Sequence, residues 1–118
     1  MSYDISLIDS VTKQTIELDE PHQMKGGTYC LGGTDLAELN ITYNYSNHFS
    51  KVFGEKGIRE IYGKSGAESI PLIKKAVSNL GDDVDEDYWK STEGNTKRAL
   101  NQLLSLALLR PDGIWEGD

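Results

Sequence analysis

Leu39-Asn40-Ile41-Thr42-Tyr43-Asn44-Tyr45 alternates apolar and polar side chains without a break, so that Leu39, Ile41, Tyr43 and Tyr45 share one face and Asn40, Thr42 and Asn44 the other. That period of two predicts a half-buried antiparallel strand. Its polar face holds amides and a hydroxyl where a plain solvated face more often holds Lys and Glu. Ser46, Asn47 and His48 continue the same chemistry into the next element. A face of this kind is a candidate contact surface.

Strand signals surround it on the N-terminal side. Tyr3, Ile5 and Leu7 alternate with Asp4, Ser6 and Ile8, and Thr15 to Leu18 alternates again after the polar segment Asp9 to Gln14, which predicts a β-hairpin. Asp19-Glu20-Pro21-His22 is expected to stop the second strand. Thr28-Tyr29-Cys30-Leu31 then forms a short strand between the turns Gly26-Gly27 and Gly32-Gly33.

After Tyr45 the period changes to about 3.6. Ser46 or Asn47 can cap a short helix bearing Phe49, Val52 and Phe53, which Gly54 ends, and Gly57 to Tyr62 adds a turn or two with Ile58, Ile61 and Tyr62 inward. Ser65-Gly66-Ala67-Glu68 has capping-box spacing, so a helix starts near Ser65 or Ser69. Pro71 suits the later start, because the first turn has no donor to lose. Ile70, Ile73, Val77 and Leu80 recur at helical spacing before Gly81. The last helix is expected from Asn95 or Thr96 to Leu109, with Leu100, Leu103, Leu104, Ala107 and Leu108 inward and Leu106 and Leu109 widening the stripe. So apolar a helix is either central to the core or covered by a second copy of the chain. Pro111-Asp112-Gly113 turns the chain so that Ile114-Trp115 folds back as an apolar clasp. The whole reads as one α+β domain over residues 1–118. It is a small N-terminal antiparallel sheet of about four strands covered by three to four C-terminal helices.

Length and charge bound the function. A chain of 118 residues buries roughly two thirds of its unfolded surface, enough for one core. The formal charge is −7, from 19 acidic against 12 basic side chains, which argues against direct nucleic-acid binding and fits either solubility or an acidic surface for a basic partner. Cys30 is the single cysteine and cannot form an internal disulfide, and no segment reads as a signal peptide or membrane span, so a cytoplasmic setting is expected. The glycosylation patterns at Asn40 and Asn44 fall within the predicted strand and are read as strand polar groups.

Asp82, Asp83, Asp85, Glu86 and Asp87 form the densest charge cluster. The spacing of Asp83, Asp85 and Asp87 matches calcium-loop ligands, but Tyr88 stands where that loop needs glycine and Gly94 where it needs an acid. An acidic loop or contact surface is the better reading. His22, His48 and Cys30 are scattered and lack zinc-ligand spacing, and a Cys30–His48 nucleophile pair would depend wholly on tertiary proximity. The Gly-Gly pairs and Gly63-Lys64-Ser65 do not make a phosphate loop. No metal or cofactor is expected. The best mixed cluster is Thr92-Glu93-Gly94-Asn95 at a helix start, with Tyr88 and Trp89 upstream, which Asn44, Tyr45 and His48, and beyond them Arg59, Tyr62 and Lys64, can join.

The leading expectation is non-catalytic binding of another protein with a basic surface. Asp83, Asp85 and Asp87 supply charge, and Tyr88 and Trp89 are aromatic anchors. The alternative is a small polar or nucleotide-like ligand held between sheet and helices by Asn44, Tyr45, His48, Tyr62, Glu93 and Asn95. Acid–base catalysis by Glu93 with His48 comes third, without a paired-carboxylate or nucleophile signature. The strand Leu39–Tyr45, with Gly57-Ile58-Arg59, Tyr62 to Ser69, Asp87-Tyr88-Trp89, Thr92 to Asn95 and Arg110-Pro111-Asp112-Gly113, resembles an uncharacterised family of small acidic proteins of bacteria and their phages. The resemblance covers nearly the whole chain and carries over no activity, cofactor or catalytic residue. It implies a context in which small acidic domains serve as inhibitors or immunity proteins.

Overall fold

The structure, a computed structural model, describes residues 2–22 and 34–118. The elements in order are β1 (Ser2–Ile8), β2 (Glu17–His22), β3 (Thr34–Leu36), β4 (Glu38–Thr42), α1 (Ser46–Phe53), α2 (Gly66–Ser78), α3 (Glu93–Leu109) and β5 (Ile114–Glu116). Short 3-10 turns cover Tyr43–Tyr45 and Gly57–Ile61. The α+β class is as expected, but the sheet is built differently. Among the described residues, an antiparallel sheet has the order β4-β1-β5, and β2 and β3 form a separate two-stranded ribbon. The third strand of the main sheet therefore comes from the far end of the chain. The expected strand Thr28–Leu31 lies outside the described residues.

β1 alternates as its sequence demands, with Tyr3, Ile5 and Leu7 all buried, and pairs Tyr3 with Ile41, Ile5 with Leu39 and Leu7 with Trp115. The expected hairpin begins correctly. The Asp9 carboxylate accepts from the backbone N–H of Val11 and Thr12 at 2.8 and 3.0 Å, and Asp9 N–H donates to the Gln14 carbonyl at 2.9 Å. Those two N–H groups hold the carboxyl below its usual range. Beyond Ile16 the hairpin splits. Ile16 N–H donates to the Leu7 carbonyl, but Ile16 carbonyl accepts from Ala37, whose own carbonyl accepts from Leu7 N–H. The fully buried Ala37 thus wedges the chains apart, giving β4 one edge of β1 and sending β2 out to pair with β3. Asp19 to His22 do not stop β2, which runs on to His22. A proline is tolerated there because a two-stranded ribbon leaves each strand an edge that needs no donor.

The long strand is shorter than its alternation suggests. Thr42 ends β4 by turning its hydroxyl to accept from Asn44 N–H at 3.2 Å, and the next three residues tighten into a 3-10 turn. Leu39 and Ile41 are buried as expected, whereas Tyr45 reaches the core through that turn rather than along a strand face.

The helices follow their signals closely. α1 carries the buried Phe49 and ends at Gly54, whose φ of 104° is open to glycine. It starts without a side-chain cap, so neither Ser46 nor Asn47 plays that part. In α2 the capping box of Ser65 and Glu68 is complete, with both bonds made at 2.9 and 3.0 Å. This fixes the earlier start and leaves Pro71 inside the helix. The inner faces of α2 and α3 join the sheet residues in one core that includes Ile73, Ala76, Ala99, Leu100, Leu103, Leu106 and Ala107. Leu108 is not inward. It is 56% exposed and Leu109 61%, because the buried stripe passes through Leu103, Leu106 and Ala107, and Leu108 lies one residue beyond it.

The clasp is β5 itself. Trp115 is buried, and its indole N–H donates to Ser69 Oγ at 2.7 Å while that hydroxyl donates to the Gly66 carbonyl at 2.7 Å. The first N–H groups of α2, at Gly66 and Ala67, are satisfied by the carbonyls of Gly113 and Pro111 at 2.8 and 3.0 Å. A Cβ at Gly66 would stand 2.8 Å from the Arg110 carbonyl oxygen, so this close approach requires glycine. β5 is thereby held between β1 and residues 63–65.

Candidate functional site

The segment between α2 and α3, residues 79–92, has no regular structure and is organised by side chains that reach it from other elements. Its centre is Asn95, wholly buried in the first turn of α3. Asn95 Oδ1 accepts from Asp85 N–H at 3.0 Å, and its Nδ2 donates to the carbonyls of Asp87 and Lys90, each at 3.1 Å. One amide side chain therefore fixes three points of the loop backbone.

A second set of anchors comes from the turn after β4 and from α1. Asn44 Nδ2 donates to the Trp89 carbonyl at 2.7 Å, the Tyr45 hydroxyl donates to the Tyr88 carbonyl, and His48 Nε2 donates to the Ser91 carbonyl at 3.0 Å. A carbonyl can only accept, so in this bond Nε2 of His48 is the donor. Burial pushes the Tyr45 phenol up to about 12. Three loop carbonyls, at 88, 89 and 91, are thus pinned by three residues within one short stretch.

The loop also braces itself. Asp85 Oδ1 accepts from Asp87 N–H at 2.9 Å and Asp87 Oδ1 from Trp89 N–H at 3.1 Å, two successive Asx turns. The first of these N–H groups holds the Asp85 carboxyl below its usual range. Asp83 Oδ1 accepts from Gly94 N–H at 3.1 Å, and Glu93 Oε1 from Gly81 N–H at the same distance. Lys97 pairs with Asp82 at 2.7 Å, Lys90 with Asp85 and Lys51 with Glu93, both at 3.5 Å. A Cβ on Gly94 would come within 2.6 Å of the Asp83 backbone, so the loop lies directly on the start of α3.

The result is a fixed backbone presenting Trp89, 49% exposed, with its ring 5.0 Å from that of Tyr88 at a tilt of 32°. Asp83, Glu86 and Asp87 are exposed beside it. The sequence-predicted residues Asn44, Tyr45, His48, Asp83, Asp85, Asp87, Tyr88, Trp89, Glu93 and Asn95 all meet at this loop. Tyr62 does not join them; it bonds to Asp118 beside Arg59. Asn47, expected only to continue the polar strand chemistry or to cap α1, accepts from Ser91 Oγ at 3.2 Å, and Lys51 joins the arrangement with no sequence signal pointing to it. The Asp-x-Asp-x-Trp spacing is the signal that reveals the paired Asx turns.

The polar strand face is spent inside the fold. Asn40 Nδ2 donates to Ser2 Oγ and Asp4 Oδ1, both at 2.7 Å, and Thr42 is buried. Among the described residues no group of three or more His, Cys, Asp and Glu side chains is arranged to hold a metal ion, and no helix is long and apolar enough to cross a membrane. Cys30 lies outside the described residues. Comparison with protein-family models, with curated proteins and with solved structures finds no match in any of the three.

Proposed function

We propose that this chain is a non-catalytic binding protein that engages the basic surface of another protein through residues 82–89, as an inhibitor or immunity-type protein of a bacterium or its phage would, in the cytoplasm. One observation carries the reading: a half-exposed Trp89 stands on a backbone immobilised from both sides by buried or packed polar side chains. Rigid aromatic anchors lose little freedom on binding, and so more of their contact energy appears as affinity. The exposed carboxylates around it would steer a cationic partner and set its orientation.

The small-ligand alternative has less support, because Asn44, Tyr45, His48 and Asn95 direct their donors to backbone carbonyls of the loop. Melting-temperature shifts with the protein and the small-molecule fractions of a host extract separate the two readings. The exposed Leu108 and Leu109 are the place at which two copies of the chain would meet if it self-associates.

The direct test is Trp89→Ala, compared with the parent by calorimetric titration against a partner isolated by crosslinking through the loop. Affinity is expected to fall at least tenfold, about 1.4 kcal/mol or more, with the thermal transition near the parent's. An unchanged affinity removes Trp89 as the anchor.

A further inference from the structure

Arg59 is the best-framed cation of the described residues. Its guanidinium carbon lies 5.2 Å from the centroid of the Tyr3 ring and 6.0 Å from that of Tyr43, and those two rings meet edge to face at 4.5 Å. Stacking of this kind holds the planar group in one orientation and leaves its N–H edge free to bond. That edge is occupied by the chain itself. Arg59 Nε donates to Asp118 Oδ2 at 2.8 Å, and the Tyr62 hydroxyl donates to Asp118 Oδ1 at 3.1 Å.

Each carboxylate oxygen thus has its own donor, one charged and one neutral, which is two-point recognition of a carboxylate. The backbone is read as well. Gly117 lies flat against the Tyr62 ring, where a Cβ would come within 2.3 Å of ring carbon. Asp118 adopts a φ of 77°, in the region that favours glycine, so its seat is kept by these bonds rather than by backbone preference. Both ends of the ion pair remain solvent-accessible, the side chains being 44% and 43% exposed, so an external group can reach the site.

We propose that Arg59 and Tyr62 form a carboxylate-binding site that the chain fills with its own Gly117-Asp118, and that an acidic polypeptide segment displaces this internal occupant. The occupant is tethered two residues beyond β5, which gives it a high effective concentration at the site. Competing segments therefore bind the parent more weakly than a chain whose occupant has lost its carboxylate. The segment favoured is one with glycine before the acid, since the Tyr62 ring excludes a side chain there.

The test follows the ring resonances of Tyr62, which contacts Gly117 and Asp118, by NMR in the full chain and in Asp118→Ala, titrated with N-acetyl-Gly-Asp-amide, N-acetyl-Ala-Asp-amide and sodium acetate. Asp118 is exposed, so the variant retains the fold, which its thermal transition verifies. The expected result is a saturable shift in Asp118→Ala with the Gly-Asp peptide, at least about tenfold weaker in the parent because of the tethered competitor. The Ala-Asp peptide and acetate bind less well, and adding Arg59→Gln abolishes saturation. Absence of saturation in Asp118→Ala, equal affinity in parent and variant, or an unchanged response with Arg59→Gln overturns the site. Acetate binding as tightly as the Gly-Asp peptide overturns the polypeptide segment as its ligand.

Discussion

The first turn of α3 buries Gly94, Asn95 and Thr96 completely, while the last turn of the same helix leaves Leu108 and Leu109 more than half exposed. Hydropathy alone orders these ends the other way. The difference lies in what each end meets. At the start, the loop backbone lies on the helix and supplies partners for every polar atom that is taken out of water, so burial of an amide is tolerated and made specific. At the far end the chain turns away through Pro111 to Gly113, and the core stripe has already closed at Ala107.

Removing the amide should break the contrast most severely. Asn95→Ala strands Asp85 N–H and two loop carbonyls, and a loss of about 2–3 kcal/mol in a denaturant titration is expected. A loss under about 1 kcal/mol would mean that water replaces the amide readily. Tyr45→Phe removes one anchor and should cost about 1 kcal/mol at neutral pH. It also carries a pH signature. Tyr45 titrates near 12 in the folded chain against 10.0 for the free phenol, so its contribution is fully present below pH 10 and is lost as pH rises from there through 12. The stability difference between parent and Tyr45→Phe should therefore shrink over that window, checked by urea titrations at successive pH values; a constant difference would locate the shift elsewhere. Thr92→Ala deletes the hydroxyl that caps α3 through Asn95 N–H at 3.0 Å and should cost about 1 kcal/mol by thermal unfolding. At the opposite end, Leu108→Gln should change stability by no more than about 0.5 kcal/mol, and a larger loss would show that a second copy covers that turn.

The sequence's legibility divides along the same line. Local rules located α2 through Ser65 and Glu68, α1 through Gly54, and the return of Trp115 through the Pro111-Asp112-Gly113 turn, since each depends on residues within a few positions. The residues that meet at the loop were legible as a set because amides and aromatics stand out among charges. Their work was not. Whether Asn44 faces a ligand or the Trp89 carbonyl depends on how residues 45 positions apart approach, which no periodicity encodes. The expected hairpin splits for the same reason: Ala37, a small residue with no pattern of its own, separates β2 from β1. By alternation Thr42 is one more polar position on a strand, whereas its hydroxyl ends that strand by capping the next turn.

β1 lies in the middle of the main sheet, yet its two neighbours come from opposite sides of α1, α2 and α3 in the chain. Joining Leu7 to Trp115 closes a loop that contains nearly the whole protein, since the two residues stand 108 positions apart. Until that closure, one edge of β1 has no strand beside it, α2 lacks the carbonyls that receive its first N–H groups, and Ser69 has no indole to accept from. Completion of the sheet and finishing of the helix start are consequently one event rather than two. Folding should resemble a latch thrown last, in which changes at Trp115 hasten unfolding more than they slow the approach to the native state.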